Sequence, residues 1–198
     1  MKPVTIDPRS HDAVIFDLDG VIGPGTDDSA LESTVELAQK LRAAGVATAA
    51  YSLAAQPGQA MAAGRIAKAF TVRFDRAPGV PEVPPLPDPT ILLAAARRLG
   101  VAPQRSVVVD GADSGVEAAR EGGFAFVIGV GRGGQADKLL RCGADVVVRD
   151  LAYVDVTTGG KRMSQRPNAL DSYGQVIGIV AGRQPFICLD YDGTLSEI

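Results

Sequence analysis

Between residues 12 and 150, short runs of Val, Ile, Phe and Ala alternate with stretches that carry apolar residues at helical spacing. Runs that are apolar at every position belong to strands buried on both faces, and parallel strands need helical crossovers between them. The alternation therefore restricts this segment to an α/β domain around a parallel sheet. Six strands are predicted, at 13–17, 46–51, 70–74, 106–110, 124–130 and 145–148. Helices are expected at about 29–44, 60–67, 91–99, 114–121 and 135–141. The first takes Asp27 or Asp28 as its N-cap, buries Leu31, Val35, Ala38 and Leu41, and stops at Gly45. Six prolines between residues 77 and 89 exclude helix and central strand there and predict a stiff surface loop.

These elements use up residues 1–156 of a chain of 198, which is a whole domain and leaves a remainder. Thr157-Thr-Gly-Gly-Lys161 opens an expected linker over 157–184. Within it, Leu170, Tyr173, Val176, Ile177 and Val180 predict a helix at about 167–181. Phe186-Ile-Cys-Leu-Asp190 then reads as a first strand again, so residues 185–198 are expected to be the opening of a second, truncated domain. Hydrophobic residues make up 46% and charged residues 22% of the chain, enough apolar material for a packed core.

Charge and composition exclude several classes of partner. Twenty basic and 23 acidic residues give a net charge of −3 without any block of like charge, so no nucleic-acid partner is expected. No apolar run approaches the roughly 20 residues of a membrane span, and the first residues do not read as a signal peptide, so no membrane partner and a cytoplasmic location are expected. Cys142 and Cys188 are predicted to be reduced, buried packing residues. His11, the single histidine, is expected at the surface or in a cap, and excludes any site that needs two.

The most specific feature is a repeat. Phe16-Asp-Leu-Asp-Gly-Val-Ile22 and Leu189-Asp-Tyr-Asp-Gly-Thr-Leu195 both follow an apolar strand. Ligands of open parallel sheets bind at the carboxyl ends of strands, where Asp17 and Asp190 fall. A carboxylate pair there suits Mg²⁺. One member can attack a phosphoryl group while the other handles the proton of the leaving group. A single Asp-Gly after a strand is also an ordinary turn; two copies with the same flanks favour a site.

On these residues the chain resembles the haloacid dehalogenase superfamily of aspartate-nucleophile phosphatases. Ser52, closing the next strand, matches the family's second motif. Pro84-Pro-Leu-Pro-Asp88 resembles its Lys-Pro-x-Pro-Asp motif, and Val107-Val-Val-Asp110 resembles its late acidic strand. The resemblance implies a three-layer, Rossmann-like, capless sheet domain, followed by a linker helix and the first strand of a second such domain. Leu189-Asp-Tyr-Asp-Gly-Thr-Leu-Ser196 is similar to the opening motif of the trehalose-6-phosphate phosphatases within that superfamily. It implies Asp190 as nucleophile, Asp192 as acid/base, and Mg²⁺ held by Asp190 and the backbone carbonyl of Asp192. The implied reaction converts trehalose 6-phosphate to trehalose and phosphate through an aspartyl-phosphate.

The first copy departs from the pattern. The motif lysine falls on Pro84, and Gly111 stands where many members of the superfamily carry a second acid, with Asp113 as an unusually spaced substitute. Phosphoryl transfer depends on positioned cations. Asp17, Asp19, Ser52 and Asp110 are therefore expected to form a degenerate site. Two further readings stay open: a non-catalytic packing or regulatory module, and a general small-molecule phosphatase of the superfamily. Gly129-Val-Gly-Arg-Gly-Gly134, with Asp150 ending the next strand, also has the layout of a dinucleotide loop, although the following helix is short. Arg132 within it is expected to be solvated. Oligomeric state is not legible.

Overall fold

Val14, Ile15, Phe16 and Val107 to Val109 are completely buried, because their strands form the centre of a sheet with helices on both faces. The computed structural model describes residues 4–23, 28–53, 68–75 and 84–157, and the statements that follow concern these. The chain divides into two compact units, Met1–Ser164 and Gln165–Ile198. The second unit lies outside the described residues, and with it the helix expected at 167–181, the strand at 186–190, Cys188, Asp190 and Asp192. The helix expected at 60–67 also lies outside them.

The strands are β1 (Val4–Ile6), β2 (Ala13–Asp17), β3 (Ala47–Ser52), β4 (Val72–Asp75), β5 (Ser106–Asp110), β6 (Phe126–Val130), β7 (Val146–Val148) and β8 (Val154–Val156). The helices are α1 (Leu18–Ile22), α2 (Asp28–Ala43), α3 (Thr90–Leu99), α4 (Asp113–Glu121) and α5 (Ala136–Arg141). Six strands form one wholly parallel sheet in the order β4-β3-β2-β5-β6-β7. All six expected strands are present, with ends displaced by up to two residues. Phe124 is the clearest case: it is buried, but it lies in the turn after α4 with its amide donating back to the Ala119 carbonyl of that helix, so β6 begins only at Phe126.

Alternation along the strands sorts the core into two layers. Val14, Phe16, Val107 and Val109 pack with α1 and with Val35, Leu37, Ala38 and Leu41 of α2. Ile15 and Val108 pack on the opposite face with Ile91, Leu92, Ala95 and Ala96 of α3 and Val116 and Ala119 of α4. α2 ends as the sequence predicts. Gly45 adopts φ 71°, its amide bonds Arg42, and the Val46 amide reaches back to Leu41, so a left-handed residue closes the helix. Asp28 lies inside α2 rather than before it.

Neither α1 nor the β1–β8 pair has a counterpart in the sequence reading. β1 and β8 pair in parallel, with Val4 opposite Val154 and Ile6 opposite Val156. Ile6 is fully buried in the α2 layer, and both the amide and the hydroxyl of Thr157 donate to its carbonyl. The two ends of the domain are thereby clasped together.

Candidate functional site

The carboxyl ends of β2, β3 and β5 lie side by side in the sheet, with Asp17 opposite Tyr51 and Phe16 opposite Val109. By strand alternation, Asp17, Tyr51 and Asp110 leave the sheet toward the same face. Asp17 caps α1, its carboxylate accepting from the amides of Asp19 at 3.0 Å and Gly20 at 2.8 Å. Asp19 accepts from the Ser52 hydroxyl at 2.7 Å and the Leu53 amide at 2.6 Å. Asp110 accepts from the Ala112 amide at 2.7 Å and from the Tyr51 phenol. The structure thus brings together Asp17, Asp19, Ser52 and Asp110, the four residues predicted for the first site. Tyr51 was missed; its only sequence signal is its place beside Ser52 in a strand that ends at the site.

Burial dominates the electrostatics. Asp110 is fully buried and Asp17 is 5% exposed. Desolvation, followed by the charge of Asp110 and then of Asp19, holds Asp17 well above the usual carboxyl range. Desolvation likewise raises Asp110, to about 6, against the opposing hydrogen bond from Tyr51. Burial and then the Asp110 charge push the Tyr51 phenol up, so it remains a donor. Among the described residues, no lysine or arginine forms an ion pair with Asp17 or Asp110.

The cations and acids that phosphate chemistry needs are turned elsewhere. Pro84, at the position of the motif lysine, is exposed, and Asp88 of the same motif accepts from the Thr90 amide at the start of α3. Asp113 pairs with Lys138 of α5 and does not substitute for the second acid. Gly111 is required by a close approach of its loop to α1: a β-carbon there would lie 2.4 Å from the Gly20 carbonyl oxygen. An aspartate cannot be seated at 111 without moving α1, which carries Asp19 and is capped by Asp17. No group of three or more metal-ligating side chains suited to an ion occurs among the described residues. With their oxygens engaged by protein donors and the second acid excluded, the first-copy residues do not fit Mg²⁺.

Other expectations resolve locally. Arg132 is half-buried, not solvated, and donates to the Val21 carbonyl at the end of α1 at 2.8 Å. The glycines around it serve packing and turning. A β-carbon on Gly131 would press on Val147 at 2.8 Å, and Gly133 and Gly134 have φ of 61° and 89°. Asp150 caps the turn before β8 by accepting from Ala152, and α5 has only six residues, so the dinucleotide layout is accounted for structurally. His11 is half-buried rather than a surface residue, packed near Phe126, with desolvation lowering its pKa. Cys142 is a free thiol, half-buried rather than buried, and its hydrogen bond to Glu117 pushes its pKa up. No helix among the described residues is long and apolar enough to cross a membrane.

No family model matches the chain. Among curated proteins, the trehalose-phosphate phosphatase of Mycobacterium leprae is 44% identical over 99% of this chain and 44% of its own length. That of Mycobacterium tuberculosis H37Rv is 42% identical over the whole chain and 39% of its own length. The chain thus spans less than half the length of these relatives. A much longer protein named as an uncharacterized glycosyl hydrolase of Mycobacterium tuberculosis is 42% identical over 84% of the chain but only 13% of its own length. Among solved structures, a HAD family hydrolase from Deinococcus radiodurans, determined with phosphate and sodium, superposes with a TM-score of 0.55 over 73% of this chain and 93% of that one, at 22% identity. A β-phosphoglucomutase from Clostridium difficile gives 0.51 over 86% of this chain and 99% of that one, at 16% identity. Sequence and fold together place the chain as a homologue of part of the mycobacterial trehalose-phosphate phosphatases, built on the haloacid dehalogenase fold.

Proposed function

We propose that the chain belongs to a phosphatase that hydrolyses trehalose 6-phosphate to trehalose and phosphate, and that its chemistry resides in the second Asp-x-Asp-Gly copy. Asp190 is the nucleophile and Asp192 the acid/base, and Asp190 with the backbone carbonyl of Asp192 holds Mg²⁺. When bound, Mg²⁺ supplies charge to a phosphoryl group and its attacking carboxylate. The domain of residues 1–156 is a non-catalytic module, followed by the linker 157–184 and by the catalytic segment that begins at 185. Support for the substrate comes from the 42–44% identity to proteins of that name. Support for the division of labour comes from one observation, the Gly111 backbone lying against Gly20 where a second acid would stand.

The test is phosphate release from trehalose 6-phosphate by the protein as its gene encodes it. Asp190→Asn is expected to reduce turnover by about 10³-fold or more, as removal of a covalent nucleophile does, whereas Asp17→Asn leaves it within about twofold. The opposite pattern would establish the first copy as a general phosphatase site and overturn this assignment.

A further inference from the structure

The disagreement between the first-copy residues and Mg²⁺ leaves a physical problem. Asp17 and Asp110 are two buried carboxyls that end neighbouring paired strands, one residue after Phe16 and Val109 stand opposite each other, and leave the sheet toward the same face. Two ionised carboxylates cannot share a hydrogen bond, and like charges this close cannot both persist without a cation. Among the described residues, the groups packed around them supply none. α1 presents Asp19 and the end of β3 presents the neutral phenol of Tyr51. α4 presents Gly115, whose missing β-carbon would lie 1.9 Å from the Asp110 carboxylate, while its Asp113 is paired with Lys138. Arg132, from the loop after β6, is spent on the Val21 carbonyl. The other described groups against the pair are the amides of Asp19, Gly20 and Ala112, the Tyr51 phenol and the Gly20–Gly111 contact.

We infer that this site has exchanged a cation for a proton. Asp17 is the carboxylic acid and donates to the Asp110 carboxylate, which Tyr51 and Ala112 hold from the other side, so that the ends of β2 and β5 are joined through a proton-locked carboxyl pair. Loss of that proton leaves two buried like charges and loosens the junction. The inference rests on the reading of this domain as non-catalytic and deepens it.

Infrared difference spectroscopy on the whole protein reads the proton directly. Near pH 7 the wild type is expected to show a carbonyl band of a protonated carboxyl that is lost in Asp17→Asn. The asparagine variant keeps a donor toward Asp110 without needing a proton. The thermal midpoint of the wild type should therefore fall relative to that of Asp17→Asn as pH rises through the raised Asp17 value, the gap widening by several degrees. In an Asp190→Asn background, millimolar Mg²⁺ should leave the midpoint of this domain unmoved. Asp110→Asn provides a second route to the same flattening should Asp17→Asn fold poorly. A spectrum unchanged by Asp17→Asn, parallel pH courses, or Mg²⁺ stabilisation that Asp17→Asn abolishes would each overturn the proposal. Loss of trehalose 6-phosphate hydrolysis in Asp17→Asn with the infrared band intact in the wild type would instead sink only the assignment of catalysis to the second copy.

Discussion

Tyr51 and Asp110 lie 59 positions apart in the chain, and their contact changes what each can do. Asp110 keeps its charge at a lower pH because the phenol donates to it. Tyr51→Phe removes that donor and leaves a buried acceptor short of a partner, which typically costs about 1–3 kcal/mol; urea denaturation near neutral pH measures it. The pH dependence has a definite sign. Asp110 binds its proton more tightly folded, at about 6, than unfolded, at about 3.9. Its contribution to stability is therefore complete below the unfolded value and lost as pH rises through the folded one. Tyr51→Phe moves the upper edge of that window higher, which denaturation midpoints collected across the window would reveal. Gly111→Asp is expected to lose about 1–3 kcal/mol through the clash with the Gly20 carbonyl. If this variant instead gained Mg²⁺-dependent stability, α1 and the Gly111 loop would have moved apart to build an acid pair. Of the four first-site residues, Asp17, Ser52 and Asp110 were legible because each ends an apolar run, and Asp19 because it belongs to the repeated Asp-x-Asp-Gly motif. Their neutralisation was not, since it depends on a phenol from another strand and on two glycines meeting between α1 and the loop after β5.

At the level of elements, visibility followed length and burial. β2 and β5 were plain because, Ser106 at the start of β5 aside, their residues are apolar up to the terminal aspartate, which is how a strand covered on both faces reads. α2 was plain because its buried stripe, its left-handed stop and its length agree. The β1–β8 pair was invisible for the opposite reason. Val-Thr-Ile and Val-Asp-Val are three-residue strands, too short to show a period, and each becomes a strand only through the other. α1 was not predicted, because five residues carry no helical signal without the Asp17 cap. Ile6, fully buried in the α2 layer, is the anchor of the clasp. Ile6→Ala should cost about 2–5 kcal/mol in chemical denaturation. A cost below about 1 kcal/mol would mean that β1 contributes little to the fold.

Across the whole domain, the six-stranded sheet buries β2 and β5 between helices, and amide exchange should be slowest there and fastest in α5 and β7 at the sheet edge. Hydrogen-exchange mass spectrometry checks this ordering; early exchange of β5 together with β7 would show that the centre is not the stable unit. The relationship to phosphatases was legible from the two Asp-x-Asp-Gly copies, whereas the recurrence of most of this chain within a far longer protein of a different description could not be read from one sequence. The clasp also has a mechanical meaning. Because β1 and β8 run parallel, a pull applied at Val4 in one direction and at Val156 in the other loads their shared hydrogen bonds in shear. Bonds loaded in shear must fail together rather than one after another. Tension passing along the chain through this domain would load these two three-residue strands first, before it reached the sheet.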